Sequence, residues 1–365
     1  MRFRAPALPD FPWDTIADDI ALAESHPDGA CDLSVGTPVD PTPEIGRRAL
    51  AEASDAHGYP TVWGTAELHD AILTYVTNRW GAPQMDEHNV MPIIGAKELV
   101  AWLPILLGVK PGETVVIPEV AYPTYAVGAL MAGARVVTAS SPDDVVDETP
   151  VLVWTNSPSN PSGAVDNEER VRSWIEYARA KSALLAADEC YGEFGWEAEP
   201  VSVLNRGVND CSPEGILGVY SMSKRSNLAG YRAGFVAGDR EIVMGLVGLR
   251  KHLGMMVPTP VQAAMTALLG DQNHVYDQRA RYAARRTSLS SALCDAGFTI
   301  DSSQAGLYLW ATRGENGRIT SHWLAERGII VAPGDFYGEA GADHVRIALT
   351  ATDERIAAAC SRLLS

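Results

Sequence analysis

Short apolar runs alternate with helix-like segments from about residue 89 to residue 240. The apolar runs, rich in β-branched residues, lie at 90–94, 114–118, 134–139, 151–155, 183–187 and 216–220. Helical patterns cover 97–107 and a segment ending near residue 180, for which Asp166 is the expected N-cap. Strands buried on both faces read as continuous apolar runs, and parallel neighbours need a crossover helix between them. The alternation therefore predicts an α/β fold with a mostly parallel central sheet and helices on both faces.

The C-terminal third follows a different pattern. Helical segments at 260–269, 276–295 and 321–327 are interspersed with strand-like runs at 307–311 and 344–349, which predicts a smaller α+β domain. A chain of 365 residues is also long for a single core. We expect a large α/β domain over residues 40–250 and a small α+β domain formed by residues 1–39 and 251–365.

Charge and cysteine usage exclude several classes of protein. A formal net charge of −17 disfavours binding to nucleic acid or to an anionic membrane surface. The five cysteines are scattered, without the spacing of a disulfide framework or a metal site, and indicate reduced thiols. No apolar signal segment is evident at the N-terminus, and the apolar stretch 101–109 is too short to span a bilayer. We expect a cytoplasmic protein without a bound metal.

Residues 221–234 read Ser-Met-Ser-Lys-Arg-Ser-Asn-Leu-Ala-Gly-Tyr-Arg-Ala-Gly and lie between two strand-like runs. A lysine held there, Lys224, would be costly to bury without a partner, and a buried amine can act as a Schiff-base nucleophile. The hydroxyls of Ser221 and Ser223, together with Arg232, are groups that bind phosphate. A lysine beside a phosphate-binding cluster points to pyridoxal 5′-phosphate (PLP) as the cofactor.

The same stretch resembles the lysine signature of the class I/II, fold-type I, PLP-dependent aminotransferases. It matches every fixed position of Ser-x-Ser-Lys-(x4)-Ala-Gly-x-Arg-x-Gly. The resemblance implies that Lys224 carries the cofactor as a Schiff base and later acts as the general base. It also implies that Ser221, Ser223 and Arg232 hold the cofactor phosphate.

Two loops that follow predicted strands carry further candidates. Ligands of open α/β sheets lie beyond the carboxyl ends of strands, where Asn160 and Asp188 are expected. Asp188 is our candidate for the anion that keeps the pyridine ring protonated, because a protonated ring is an electron sink. By resemblance, Asn160 and Tyr191 hydrogen-bond the phenolic oxygen of the cofactor. The family has threonine where this chain has Ser162.

The segment Gly-Ala-Lys-Glu at 95–98 lies at a strand-to-helix junction. Backbone N–H groups at a helix start can bind phosphate, so Ala96 and Lys97 are expected to act through their amides rather than through the lysine side chain. By resemblance, the ring of Tyr122 stacks on the cofactor.

Three positions point to the substrate and to a second subunit. Arg346 lies inside an apolar strand and needs an anionic partner. The resemblance assigns Arg346 to the α-carboxylate of the substrate and places the backbone of Gly36 beside the same group. It also matches Tyr59 to a tyrosine that reaches the phosphate of the neighbouring subunit, which implies a homodimer with shared active sites.

Segments 11–15, 32–41 and 58–64 are similar to those of actinobacterial N-succinyldiaminopimelate aminotransferases. This resemblance implies amino transfer between N-succinyl-LL-2,6-diaminopimelate or its keto acid and 2-oxoglutarate or glutamate, in lysine and diaminopimelate biosynthesis. The succinyl carboxylate needs a second cation besides Arg346. The sequence leaves five candidates open: Arg2, Arg4, Arg225, Lys251 and His252.

Other functions share these motifs. The nearest alternative is an aspartate, aromatic or broad-range aminotransferase, and the next is a PLP carbon–sulfur β-lyase of the same fold. A non-catalytic ligand-sensing module is a third alternative. That module predicts an attached basic helix-turn-helix, whereas the first ninety residues are acidic and proline-rich.

Overall fold

Residues 8–365 are described by a computed structural model. Within them the helices are α1 (Ala17–Glu24), α2 (Glu44–Glu52), α3 (Ala66–Trp80), α4 (Ala96–Leu106), α5 (Thr124–Met131), α6 (Glu168–Ala180), α7 (Met222–Arg225), α8 (Arg240–Leu253), α9 (Thr259–Leu269), α10 (Asn273–Asp295), α11 (Gly317–Ala325) and α12 (Asp353–Leu363). The strands are β1 (Cys31–Asp32), β2 (Val90–Ile93), β3 (Thr114–Pro118), β4 (Arg135–Ala139), β5 (Pro150–Asn156), β6 (Leu184–Asp188), β7 (Ile216–Ser221), β8 (Gly234–Gly238), β9 (Thr299–Asp301), β10 (Tyr308–Thr312), β11 (Ile329–Ile330), β12 (Ala332–Pro333) and β13 (Val345–Ala348).

A seven-stranded central sheet has the strand order β2-β8-β7-β6-β5-β3-β4. The pairs from β7 to β4 are parallel, and β8 runs antiparallel to both of its neighbours. Alternate residues of β6 enter different apolar clusters: Leu185 and Ala187 pack on one face, Leu184 and Ala186 on the other. This period of two is that of a strand buried on both sides. The predicted mostly parallel sheet with two covered faces is confirmed.

A second, smaller assembly forms around the C-terminal part of the chain. Strands β12, β13, β10 and β9 make an antiparallel sheet, and β1 pairs with β11 in parallel. Residues of β10, β13, α10 and α12 share one apolar cluster with Cys31 and Leu33. The segment near residue 31 thus packs with the C-terminal part. The division at residues 40 and 250 stays a prediction.

Several helix starts differ from the sequence-based expectation, and for two of them the capping residue gives the reason. The cap of α6 is Asn167, not Asp166, because the Asn167 side chain accepts a hydrogen bond from Arg170 N at 2.9 Å. Helix α11 begins at Gly317, four residues earlier than expected, because the side chain of Asn316 accepts from Arg318 N at 2.9 Å. In both cases an asparagine satisfies one of the free N–H groups of the first turn.

Within the described range, no helix combines the length and the apolar character needed to cross a membrane. The five cysteines, all of which lie in this range, are free thiols, as expected from their spacing.

Candidate active site

A cavity of about 590 Å³ lies at the carboxyl ends of β5, β6 and β7 and is also lined by β10 and β13 of the small sheet. Among its lining residues are all the predicted site residues except Tyr59: Gly36, Ala96, Lys97, Tyr122, Asn160, Asp188, Tyr191, Ser221, Ser223, Lys224, Arg232 and Arg346. Tyr59 is 96% exposed and lies outside the cavity. Its contact with a neighbouring subunit stays a prediction.

Lys224 is presented to the cavity by α7, a single helical turn directly after β7. Its Nζ donates a hydrogen bond to the carbonyl oxygen of Gly36. Burial lowers the pKa of Lys224, and the nearby positive charge of Arg346 acts in the same direction. A lysine with a lowered pKa has a larger fraction of neutral amine, which is the nucleophilic and proton-accepting form.

Asp188 is the last residue of β6 and is 7% exposed. Its Oδ2 accepts from the Tyr125 hydroxyl at 2.8 Å, and its Oδ1 accepts from Cys190 N at 3.1 Å. Burial raises the pKa of Asp188, and these hydrogen bonds oppose the rise. Within residues 8–365, no basic side chain forms an ion pair with this carboxylate, which lines the cavity. A buried carboxylate without a basic partner favours a cationic ligand beside it.

At another wall of the cavity, Arg232 meets the start of α4. Gly95, the N-cap of α4, has a φ of +80°, and a Cβ at this position would overlap the guanidinium of Arg232. Arg232 donates to Ala229 O at 2.8 Å and has no carboxylate partner in the described part of the chain. Ser221 and Ser223 line the same cavity, and Ser221 Oγ accepts from Ser223 N at 3.1 Å. A guanidinium beside free helix N–H groups and hydroxyls is suited to an anion such as phosphate.

Arg346 of β13 is 2% exposed. One guanidinium nitrogen donates to Asn160 Oδ1 at 2.8 Å, another donates to the carbonyl of Ser34, and Nε has no partner within residues 8–365. The guanidinium carbon lies 4.0 Å from the ring centroid of Tyr308 and 5.0 Å from that of Tyr337. No carboxylate in the described residues pairs with Arg346, so its charge is available to an anionic ligand.

Two tyrosines contact predicted site residues through their hydroxyl groups, although the sequence analysis assigned them no role. Tyr125 donates to Asp188, as described above, and the Tyr308 hydroxyl lies 2.9 Å from the Tyr191 hydroxyl. A Cβ on Gly36 would overlap the Tyr308 hydroxyl, so this close approach requires glycine. Neither tyrosine has a local signal, because an aromatic residue in an apolar run reads as part of the core.

Of the five candidates for a second cation, the three that fall within the described residues do not line the cavity. Arg225 is buried elsewhere, where its Nε pairs with Glu193 at 3.0 Å and another nitrogen donates to Leu268 O at 2.8 Å. Lys251 and His252 lie exposed in the last turn of α8. Arg2 and Arg4 lie outside the described residues. Lys97, which was expected to act through its backbone alone, lines the cavity instead, and its Nζ lies 5.8 Å from the ring centroid of Tyr122.

Comparison with known proteins adds a family and several relatives. The sequence model of the family described as "Aminotransferase class I and II" matches residues 29–363. A probable aminotransferase of Mycobacterium tuberculosis is 57% identical over 357 residues, which cover 98% of this chain and 85% of the relative. The 4-dedimethylamino-4-oxo-anhydrotetracycline transaminase OxyQ of Streptomyces rimosus is 51% identical, over 98% of this chain and 99% of the relative. A solved structure described as a probable N-succinyldiaminopimelate aminotransferase of Thermus thermophilus superposes with a TM-score of 0.87 at 27% identity, over 97% of this chain and 99% of that one.

Proposed function

The chain belongs to the class I and II aminotransferases, which depend on PLP, and we propose that it moves an amino group between N-succinyl-LL-2,6-diaminopimelate and 2-oxoglutarate. The predicted family, fold class and cofactor are confirmed by the family match and by the solved relatives. The substrate is our inference. It is carried by one observation: besides Lys224 and Arg232, which are assigned to the cofactor, the cavity is lined by two cationic residues, Arg346 and Lys97, without a carboxylate partner in the described residues.

The residues of the cavity fit the cofactor at both of its ends. A protonated pyridine nitrogen would satisfy the buried Asp188, and a phosphate would satisfy Arg232 and the N–H groups at the start of α4. When bound, the cofactor supplies an electron-withdrawing ring that stabilises negative charge on the substrate Cα. Tyr122 is assigned to the face of that ring.

Each polar side chain then has a task in the reaction. With the cofactor bound, Lys224 Nζ would take the proton from the substrate Cα and hold it for return to the product, a role for which its lowered pKa suits it. Asp188 holds the proton on the ring nitrogen. Tyr191 and the amide nitrogen of Asn160 would hold the phenolic oxygen of the cofactor by donating to it. Arg346 binds the α-carboxylate and so orients the Cα–H bond.

Lys97 is our candidate for the distal carboxylate of the substrate. Its ammonium lies 5.8 Å from the ring centroid of Tyr122 and 5.9 Å from that of Phe11. Aromatic faces attract a cation without neutralising it, so the charge stays available. Trp13 fixes the same N-terminal segment, since its ring packs 5.3 Å from that of Phe336 and its Nε1 donates to Ser34 Oγ at 3.3 Å. An apolar wall with a cation suits a long acyl chain that ends in a carboxylate.

A second candidate is the amination of a bulky ring ketone. The Streptomyces relative is named as the transaminase of an anhydrotetracycline ketone, and it is 51% identical to this chain. The aromatic side chains of Phe11, Trp13 and Tyr122 line the cavity and could stack on fused rings.

A single-turnover measurement tests the proposal. The PLP-loaded enzyme is mixed with N-succinyl-LL-diaminopimelate, without a keto acid, and the visible band of the cofactor is followed together with the formation of pyridoxamine phosphate. We expect the band to disappear and pyridoxamine phosphate to form. A band that persists with this compound but disappears with glutamate would retain the aminotransferase and refute the substrate. A protein that gains no band after PLP is added would contradict the cofactor site as well.

The role of Lys97 is tested with a paired substrate in which the succinyl carboxylate is replaced by an amide. Losing one charge-assisted contact should cost about 1.5–3 kcal/mol, which is roughly a 10- to 150-fold preference for the acid over the amide. Lys97→Met should abolish this preference. Lys181→Met is the matched control, because Lys181 also lies over an aromatic ring, 5.7 Å from the Tyr177 centroid, but outside the cavity. A preference that survives in Lys97→Met would exclude Lys97 as the distal partner.

A further inference from the structure

Tyr308 contacts two of the residues to which the proposed function assigns tasks, and it reaches a third, Lys224, through Gly36. It is 3% exposed, and its hydroxyl lies 2.9 Å from that of Tyr191. Its ring lies under Arg346, with 4.0 Å between the guanidinium carbon and the ring centroid. Its hydroxyl also packs against Gly36, whose carbonyl accepts from Lys224. One side chain therefore links the lysine, the tyrosine donor and the carboxylate-binding arginine.

The hydroxyl pair has only one proton between its two oxygens. A phenol has one proton to donate and lone pairs that accept. If Tyr191 is to donate into the cavity, its own proton must point away from Tyr308, so the proton between the two oxygens must come from Tyr308. A hydroxyl that accepts a hydrogen bond becomes a stronger donor. Burial, together with the neighbouring Tyr308, raises the pKa of Tyr191 well above its usual value, which keeps the Tyr191 proton in place.

The ring of Tyr308 has a separate effect on Arg346. The guanidinium carbon lies 4.0 Å from the ring centroid of Tyr308 and 5.0 Å from that of Tyr337. Its outer nitrogens are held by Asn160 and by the carbonyl of Ser34. These contacts restrict the orientation of the guanidinium, which decides how a carboxylate can approach it.

We propose that Tyr308 is a positioning residue with two functions: its hydroxyl donates to Tyr191 and so directs the Tyr191 proton to the phenolic oxygen of the cofactor, while its ring orients Arg346 for the substrate carboxylate. This inference rests on the proposed role of Tyr191. Tyr308 itself donates to neither ligand.

The hydroxyl is tested by a pH titration of the visible band of the PLP-loaded enzyme. A donor at the phenolic oxygen stabilises the deprotonated, more negative form of the bound cofactor and lowers the midpoint of the titration. Tyr191→Phe should therefore raise the midpoint, and Tyr308→Phe should raise it by about half to one pH unit, as expected for weakening one hydrogen bond. In the Tyr191→Phe background, Tyr308→Phe should add no further shift.

Tyr282→Phe is the matched control for removing a buried hydroxyl. Tyr282 lies in the same apolar cluster as Tyr308, and its hydroxyl has no partner within residues 8–365. Its midpoint should equal that of the wild type. If Tyr191→Phe shifts the midpoint and Tyr308→Phe does not, the inference is wrong and the proposed function stands. If Tyr191→Phe causes no shift, the proposed role of Tyr191 fails, and the inference fails with it.

The ring is tested by steady-state kinetics. Tyr308→Phe keeps the ring, so KM for the amino substrate should stay within about twofold of the wild type. Tyr308→Leu removes one cation–π contact and should raise KM by roughly 2- to 30-fold. Equal KM values for the Phe and Leu variants, in proteins with native circular dichroism, would overturn this half of the proposal.

Discussion

Replacing Asp188 with asparagine should weaken cofactor binding without weakening the apo fold. Asparagine can keep both neighbours of the carboxylate: its Oδ1 can accept from Cys190 N, and its Nδ2 can donate to the Tyr125 oxygen. The change thus removes a negative charge while preserving the shape. Burial raises the pKa of Asp188, which means that the ionised carboxylate is costly in the empty cavity. We therefore expect the apo variant to unfold at the same temperature as the wild type or at a higher one.

The cofactor should respond in the opposite direction. In the proposed complex, Asp188 forms a charge-assisted hydrogen bond with the ring nitrogen, worth about 1.5–3 kcal/mol. Its loss corresponds to a dissociation constant for PLP that is roughly 10- to 150-fold larger. The half-reaction should slow as well, because a pyridine ring without the proton on its nitrogen withdraws less electron density from the substrate Cα.

The assay is an equilibrium titration of apo protein with PLP at pH 8, accompanied by thermal unfolding without the cofactor. Glu189→Gln is the matched control, since Glu189 is the next residue and is also buried, but it lies outside the cavity and accepts from Val203 N at 2.7 Å. The control should bind PLP within about twofold of the wild type. An Asp188→Asn protein that binds PLP as tightly as the wild type would refute the pairing of Asp188 with the ring nitrogen.

Two further substitutions give distinct readouts. Arg346→Lys should raise KM for amino substrates by at least about tenfold, because a lysine cannot hold a carboxylate through two parallel hydrogen bonds; an unchanged KM in steady-state assays would contradict the assignment. Glu189→Gln should remove a pH dependence of apo-protein stability. Burial raises the pKa of Glu189 from its ordinary 4.5 to about 7, so the folded state binds this proton more tightly than the unfolded state. The free energy of unfolding of the wild type should therefore fall by up to about 3 kcal/mol between pH 4.5 and pH 7 and then level off. Denaturant unfolding at pH 5 and pH 8 measures the fall, and equal falls in both proteins would argue against a buried, proton-binding Glu189.

The central sheet was predictable because each of its strands is marked by a short apolar run in the sequence. The predicted strand at 114–118 coincides with β3, and the strands at 183–187 and 216–220 agree with β6 and β7 to within one residue at each end. A strand covered on both faces must be apolar throughout, so the sequence marks its length directly. The polar residues at the ends of these strands then meet in one cavity for a topological reason, since neighbouring parallel strands end at the same edge.

Contacts between distant segments were not predictable in the same way. Tyr191 and Tyr308 are 117 positions apart, and the residues that flank each tyrosine in the sequence do not indicate that the two hydroxyls meet. The side chain of Lys97 was set aside because a helix N-terminus can act through its backbone alone. Its position beside Phe11 depends on how the N-terminal segment packs at the cavity, and the pattern of apolar residues along the sequence does not predict this packing. The site was predictable where a single strand determines it, and not where two distant segments must meet.

The cavity holds two buried charges of opposite sign that do not neutralise each other. Asp188 belongs to the central sheet and Arg346 to the small sheet, and neither has an oppositely charged partner within 4 Å among residues 8–365. Two such groups would gain stability by pairing, but each is held by neutral neighbours instead: Tyr125 and Cys190 N for Asp188, Asn160 and Tyr308 for the arginine. Each residue therefore lacks a counter-charge in the folded apo protein, and the buried unpaired charges lower the stability of that state. A ligand that supplies the counter-charges removes this cost, and the free energy regained contributes to its binding affinity. It follows that variants selected only for apo stability should accumulate neutral residues at these two positions, and that each gain in stability should be matched by a loss of cofactor or substrate affinity.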